Sequence, residues 1–152
     1  MSSIDYDCLL TSEYYNEDTL DKAVENYFSC KLRVSERFGS TVYMEAQAGE
    51  NLLFGIYLIN YENEAVWDSD IIGRDYHYRQ CVSIALDKEH ADMGIVASVI
   101  DFFLKLQDKN KQEMLVKSHV HDDICHVMEG KITWKESFYR QYKELFTGIH
   151  MW

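Results

Sequence analysis

Six residues toward the carboxyl-terminal end carry the donor atoms of a metal site. His119, His121, Cys125 and His126 fall within eight positions, with Asp122 and Asp123 among them. Neutral imidazole and thiolate are good zinc ligands, and strand alternation sets His119 and His121 on one face. The spacing H-x-H-x4-H, however, belongs to none of the standard zinc patterns, and no second half of a site is visible in the chain. The expectation is therefore no metal and no cofactor, with His119, His121, Cys125 and His126 as the candidates for one. Nucleophilic chemistry has less to stand on. The sequence lacks a G-x-S-x-G elbow, a phosphate-cradling glycine loop and a G-x-G-x-x-G turn. Cys81 and His77 share a strand face but sit too far apart for a direct hydrogen bond, so Cys81 reads as a structural thiol. The carboxylate pairs Glu62 and Glu64, Asp68 and Asp70, and Asp122 and Asp123 have no companion motif and read as solvated charge. No catalytic residue is expected.

A different chemistry is concentrated between Tyr57 and Tyr78. The chain carries 26 acidic and 15 basic side chains, a formal charge of −11. Residues 1–29 hold seven acids against one base, and residues 45–75 again hold seven against one, so these two stretches contain the whole excess. The second also carries Tyr57, Tyr61 and Trp67, with Tyr76 and Tyr78 just beyond. Tyrosine and tryptophan anchor interfaces because they bury much area at small entropic cost. Surrounding carboxylates steer a basic partner toward them. The expected partner-binding residues are Tyr61 and Trp67 as anchors, with Glu62, Glu64, Asp68, Asp70 and Asp75 supplying the field. The same acidity argues against nucleic acid and anionic membranes as partners.

These residues need a scaffold. The length of 152 residues suits a single α+β domain spanning residues 1–152. Leu20, Ala23, Val24, Tyr27 and Phe28 recur at helical spacing, and Glu17, Asp18 and Asp21 crowd that helix start, which explains much of the first acidic cluster. From Lys31 the period becomes two, Phe38-Gly39-Ser40 reads as a turn, and Thr41 to Gln47 as a second strand. Asn51 to Tyr61 is apolar enough on both faces for a central strand. Residues 62–75 have no clean period and read as a long connection, the kind that is often functional. Tyr76 to Leu86 returns to alternation. Ile95, Val96, Val99, Ile100, Phe103 and Leu106 mark an amphipathic helix with Asp101 and Lys105 on its polar side. Glu113 to His121 reads as a short strand. Thr133 to Glu136 has the form of a capping box opening a last helix that stops at Gly148. The expected fold is a mainly antiparallel sheet of about four to five strands with three helices packed against it.

The amino terminus lacks a basic, apolar export signal, so a cytoplasmic, reducing setting with free, mostly buried Cys8, Cys30, Cys81 and Cys125 is expected. No apolar run is long enough to cross a bilayer. In general type, being small, acidic and without a catalytic motif, the chain resembles bacterial toxin-immunity proteins. The resemblance implies a non-catalytic cytoplasmic antitoxin, a monomer or weak dimer, that neutralises a basic, nuclease-type toxin. The alternatives are a small zinc enzyme or sensor built on the histidine cluster, and a self-associating structural subunit.

Overall fold

Tyr6, Cys8 and Leu10 alternate with Asp5, Asp7 and Leu9, and this period of two makes the first element a strand, β1 (Ser3–Leu10). In the computed structural model, which describes residues 3–48, 51–110 and 112–146, that strand lies in the interior of the sheet. The elements that follow are α1 (Glu17–Phe28), β2 (Lys31–Phe38), β3 (Thr41–Ala48), β4 (Asn51–Ser69), β5 (Arg74–Asp87), α2 (Met93–Asn110), β6 (Met114–Ser118), β7 (Asp122–Met128), β8 (Lys131–Trp134) and α3 (Glu136–Tyr142). One sheet of eight strands results, in the order β2-β3-β4-β5-β1-β6-β7-β8, with every neighbouring pair antiparallel. The α+β class and the three helices agree with the sequence pattern; the expected four to five strands do not. The missing strands are β1, whose Asp5 and Asp7 mask its apolar face, and the short pair β7 and β8. The latter are joined at Glu129 and Gly130, both at positive φ, the hairpin geometry that favours glycine at its second central position.

All three helices cover one face. Tyr6, Cys8 and Leu10 from β1, Ile56 and Leu58 from β4, and Val82, Ile84 and Leu86 from β5 meet Leu20 and Val24 of α1, Val99, Ile100 and Phe103 of α2, and Phe138 of α3. Burial of this surface is the main stabilising term. Asn16 caps α1 and exchanges hydrogen bonds with Thr19, while Glu17 and Asp18 occupy the first turn, where the helix dipole favours them. Asp21 turns to accept from the Leu32 N–H at 3.0 Å, and Glu17 forms a two-pronged ion pair with Arg37. The first acidic cluster is thus partly absorbed by local structure. Asp101 departs from expectation: it is buried and accepts from the Tyr27 hydroxyl at 2.5 Å. Thr133 and Trp134 end β8 instead of capping α3, whose amino-terminal cap residue, Lys135, makes no side-chain capping bond. Gly148 lies outside the described residues. No helix among the described residues is long and apolar enough to cross a membrane. All four cysteines are buried and free.

The stretch 62–75 is the largest correction. Most of it belongs to β4 and β5, which form one long hairpin turning at Asp70–Gly73. Between the pairs Asn60–Gln80 and Ala65–Tyr78, β4 holds four residues opposite Arg79 alone. Such a bulge bends a strand and resets which face its side chains occupy, so a single alternation could not run through it. Buried Gln80 braces the bend: its side chain accepts from the Tyr15 N–H at 3.0 Å and donates to Tyr15 O at 2.8 Å and Asn60 Oδ1 at 2.7 Å. Gln80→Leu removes three hydrogen bonds together and is expected to cost about 3 kcal/mol at ~1 kcal/mol each. Urea denaturation checks this, as a lower midpoint with unchanged slope.

Candidate functional site

The face of the sheet away from the helices carries two rows of side chains running across the strands. Register places Tyr43, Tyr57, Ser83, Asp7, Lys117 and Asp123 in succession on β3, β4, β5, β1, β6 and β7. The adjacent row is Ile59, Cys81, Leu9, Leu115 and His126. Cross-strand neighbours lie close enough to interact directly. Asp7 uses both carboxylate oxygens, one on Ser83 Oγ at 2.6 Å and the other on Lys117 Nζ at 2.8 Å. An apolar row left open to water is costly, and the distal half of the β4–β5 hairpin covers it. Tyr76 and Leu115 are buried there with Leu9 and Cys81, and Trp67, Ile72 and Tyr78 pack around them.

What holds the hairpin down is Asp123. It is 1% exposed and accepts from Trp67 Nε1 at 2.6 Å, Ser69 Oγ at 2.7 Å and the Ile71 N–H at 2.9 Å. Its strand, β7, lies four places from β4 in the sheet, about 19 Å at ~4.8 Å per strand. A hairpin continuing in the plane of the sheet could not make these bonds; it has to bend over the face. Lys117 Nζ lies 4.3 Å from the centre of the Trp67 ring, a cation–π contact that seats the indole from below. Burial by itself would raise the Asp123 carboxyl, but the hydrogen bonds from Ile71, Trp67, Ser69 and the Asp70 N–H outweigh it, and the group titrates below the usual carboxylate value.

Bending divides the expected binding residues between two sides. Trp67 faces inward and is a clasp, not a free anchor. Tyr61 is half-buried at the bulge, edge-on to Tyr78 with ring centres 5.3 Å apart. Glu62, Glu64, Asp68, Asp70 and Asp75 are all exposed. Asp68 and Asp75 stand directly opposite each other in the pairing. Glu64 meets His77 at 3.0 Å, and between these groups Val66 is 50% exposed. Among the described residues no lysine or arginine forms an ion pair with Glu62, Asp68, Asp70 or Asp75. Val66 and His77, which alternation alone did not single out, complete this outward surface.

The histidine cluster is drawn apart. His119 is exposed; His121 packs against Phe138 and Tyr142, its titration lowered by burial and by Lys135; Cys125 is fully buried under the helices. His126 lies on the other face, 2.6 Å from Glu113. Among the described residues no group of three or more histidine, cysteine or acidic side chains is placed to hold a metal ion. Cys81 is buried in the second core while His77 faces outward from the hairpin, so they do not meet. A recess of about 280 Å³ between α1 and α2 is lined by Tyr14, Tyr27, Phe102 and Leu106, with Lys105 its one ionised lining residue among those described. Comparison with protein-family models, curated proteins and solved structures found no match to this chain.

Asp123→Ala removes the acceptor shared by the hairpin tip and is expected to destabilise by about 3 kcal/mol or more, since hydrogen bonds to a charged group contribute ~1.5–3 kcal/mol each. The native carboxyl titrates lower than the unfolded one. Its contribution is therefore complete above the ordinary carboxylate pKa and is lost as pH falls through the native value. The variant should show a shallower loss of stability on acidification than the wild type, and faster amide exchange at residues 65–78.

Proposed function

We propose that this chain is a binding protein whose bent hairpin presents an acidic surface to a basic protein partner. The observation that carries the reading is the facing pair Asp68 and Asp75. Like charges opposite one another on a sheet are destabilising, and among the described residues no lysine or arginine forms an ion pair with either carboxylate. The Arg74 guanidinium donates instead to the Asp75 carbonyl oxygen at 3.3 Å. Carboxylates placed at a local cost to stability mark a surface selected for something other than folding. A cationic partner would relieve the repulsion on binding, and Glu62, Glu64 and Asp70 extend the field that draws it in. Exposed Val66 gives the patch an apolar centre, while the Asp123 clasp keeps the whole face in one orientation before the partner arrives, which lowers the ordering cost of association.

The resemblance in general type to toxin-immunity proteins gives this a biological form. A nuclease binds phosphate through a basic surface, so an acidic protein can neutralise it by occupying that surface. Tyr61 is the aromatic residue of this stretch left at the rim to contribute, whereas Trp67 acts by fixing the hairpin.

Two measurements test the proposal. Asp75→Lys exchanges a repulsive cross-strand pair for an attractive one and should raise stability by ~0.2–1 kcal/mol, while weakening partner capture. Pull-down from the native host with wild type should retain a basic protein that is released by added salt, and Asp68→Lys/Asp75→Lys should fail to retain it. Recovery of only neutral or acidic proteins, or equal retention by the charge-reversed variant, would overturn the reading.

A further inference from the structure

The bent hairpin leaves part of the open face uncovered. Beneath the bend lies a recess of about 390 Å³ whose lining includes Asp5, Asp7, Tyr57, Tyr61, Tyr78 and Lys117. Its floor is the polar row Tyr57, Ser83, Asp7 and Lys117, and Tyr61 and Tyr78 belong to the strands where they bend. Ligand sites span roughly 300–1,000 Å³, so this one is large enough to take a long side chain.

Its charge is unbalanced. Lys117 is committed to Asp7 and to the Trp67 ring. Asp5 has only Ser3 Oγ, at 3.3 Å, as a hydrogen-bond partner and no cation among the described residues. Two carboxylates therefore face one lysine, in a recess bordered by three tyrosines. The aromatic side is itself braced. Tyr43 lies against Tyr57 with ring centres 4.7 Å apart, and it can do so because residue 55 is glycine: a Cβ there would come within 2.6 Å of the Tyr43 hydroxyl. Acid beside aromatic rings is the chemistry that selects a guanidinium, which is planar, always charged, stacks on rings and bridges carboxylate oxygens.

We infer that the recess accepts one arginine side chain of the basic partner, its guanidinium beside Asp5 and Asp7 and its stem along Tyr57 and Tyr61. This rests on the reading of the chain as a binder of basic proteins, and it adds a specific socket to the general field of the hairpin. Tyr61 also lines the neighbouring depression at Gly39, Ser40, Glu62 and Asn63, so the socket opens toward the acidic bulge.

The probe is acetyl-arginine amide, titrated into isotope-labelled protein and followed by backbone amide shifts, with the uncharged citrulline analogue as control. Saturable shifts at residues 5–7, 57–61 and 81–83 are expected with arginine and not with citrulline. Asp5→Asn, at a side chain with little structural duty, should weaken the response by about fivefold or more, ~1 kcal/mol by the tenfold-per-1.4 kcal/mol relation. Equal response to citrulline, no response, or shifts confined to residues 64–77 would overturn the socket; the last leaves the hairpin reading intact. Conversely, an arginine response in the recess together with undiminished partner capture by Asp68→Lys/Asp75→Lys upholds the socket and removes the hairpin from the interface.

Discussion

A single carboxylate decides the shape of the open face. Asp123 gathers the indole N–H of Trp67, the hydroxyl of Ser69 and the amide of Ile71 into one buried acceptor site. Without those bonds the distal part of a hairpin that starts four strands away keeps the Lys117 contact to the Trp67 ring and a long hydrogen bond, 3.5 Å, from the Tyr76 hydroxyl to Leu9 O. The cover over the apolar row would then rest mainly on packing, and the recess would lose its roof. Charge-assisted bonds of this kind are short and directional. They fix not only where the hairpin lies but which of its faces points outward. The acidic surface and the recess are both products of that orientation.

The clasp also shows how burial and charge are reconciled here. A buried carboxylate with one weak partner would be a liability, and a neutral acid would be a poor acceptor for three donors. Several donors converging on it make the ionised form the stable one. Lys117 completes the arrangement from the other side. It neutralises Asp7 and supports the Trp67 ring, so one cation serves two elements of the same face. The polar row is therefore a continuous structure from β1 to β7, and Asp5, two residues from Asp7 on the same face of β1, is the carboxylate left without a cation among the described residues.

Much of the scaffold was legible in the sequence, and the reasons for the failures are physical. The α2 periodicity and the β2–β3 hairpin both follow from residue pattern. β1 escaped because Asp5 and Asp7 look like a solvated terminus, although their alternation with Tyr6 and Cys8 was the signal of a strand with one polar face. The 62–75 stretch reads as a long connection in the sequence because the bulge at residues 61–64 hides the period of the two strands that it belongs to. Asp123 stood in plain view beside Asp122, but its role depends on partners some fifty residues earlier in the chain, which no local spacing encodes. The division of labour between Trp67 inside and Val66 outside likewise follows from the bend.

The interior position of β1 has a consequence for how the protein comes to be. Strands β2 to β5 and β6 to β8 are two meanders of near neighbours, and each can begin pairing as soon as it is made. The first strand joins them, with Asp7 opposite Ser83 on one side and Lys117 on the other. Its second partner emerges more than a hundred residues after it does. Contacts of such separation are slow to form, because loop closure precedes any gain from pairing. The first strand thus waits for the second meander before it is enclosed on both sides, and the charged row can assemble only when the two halves close around it.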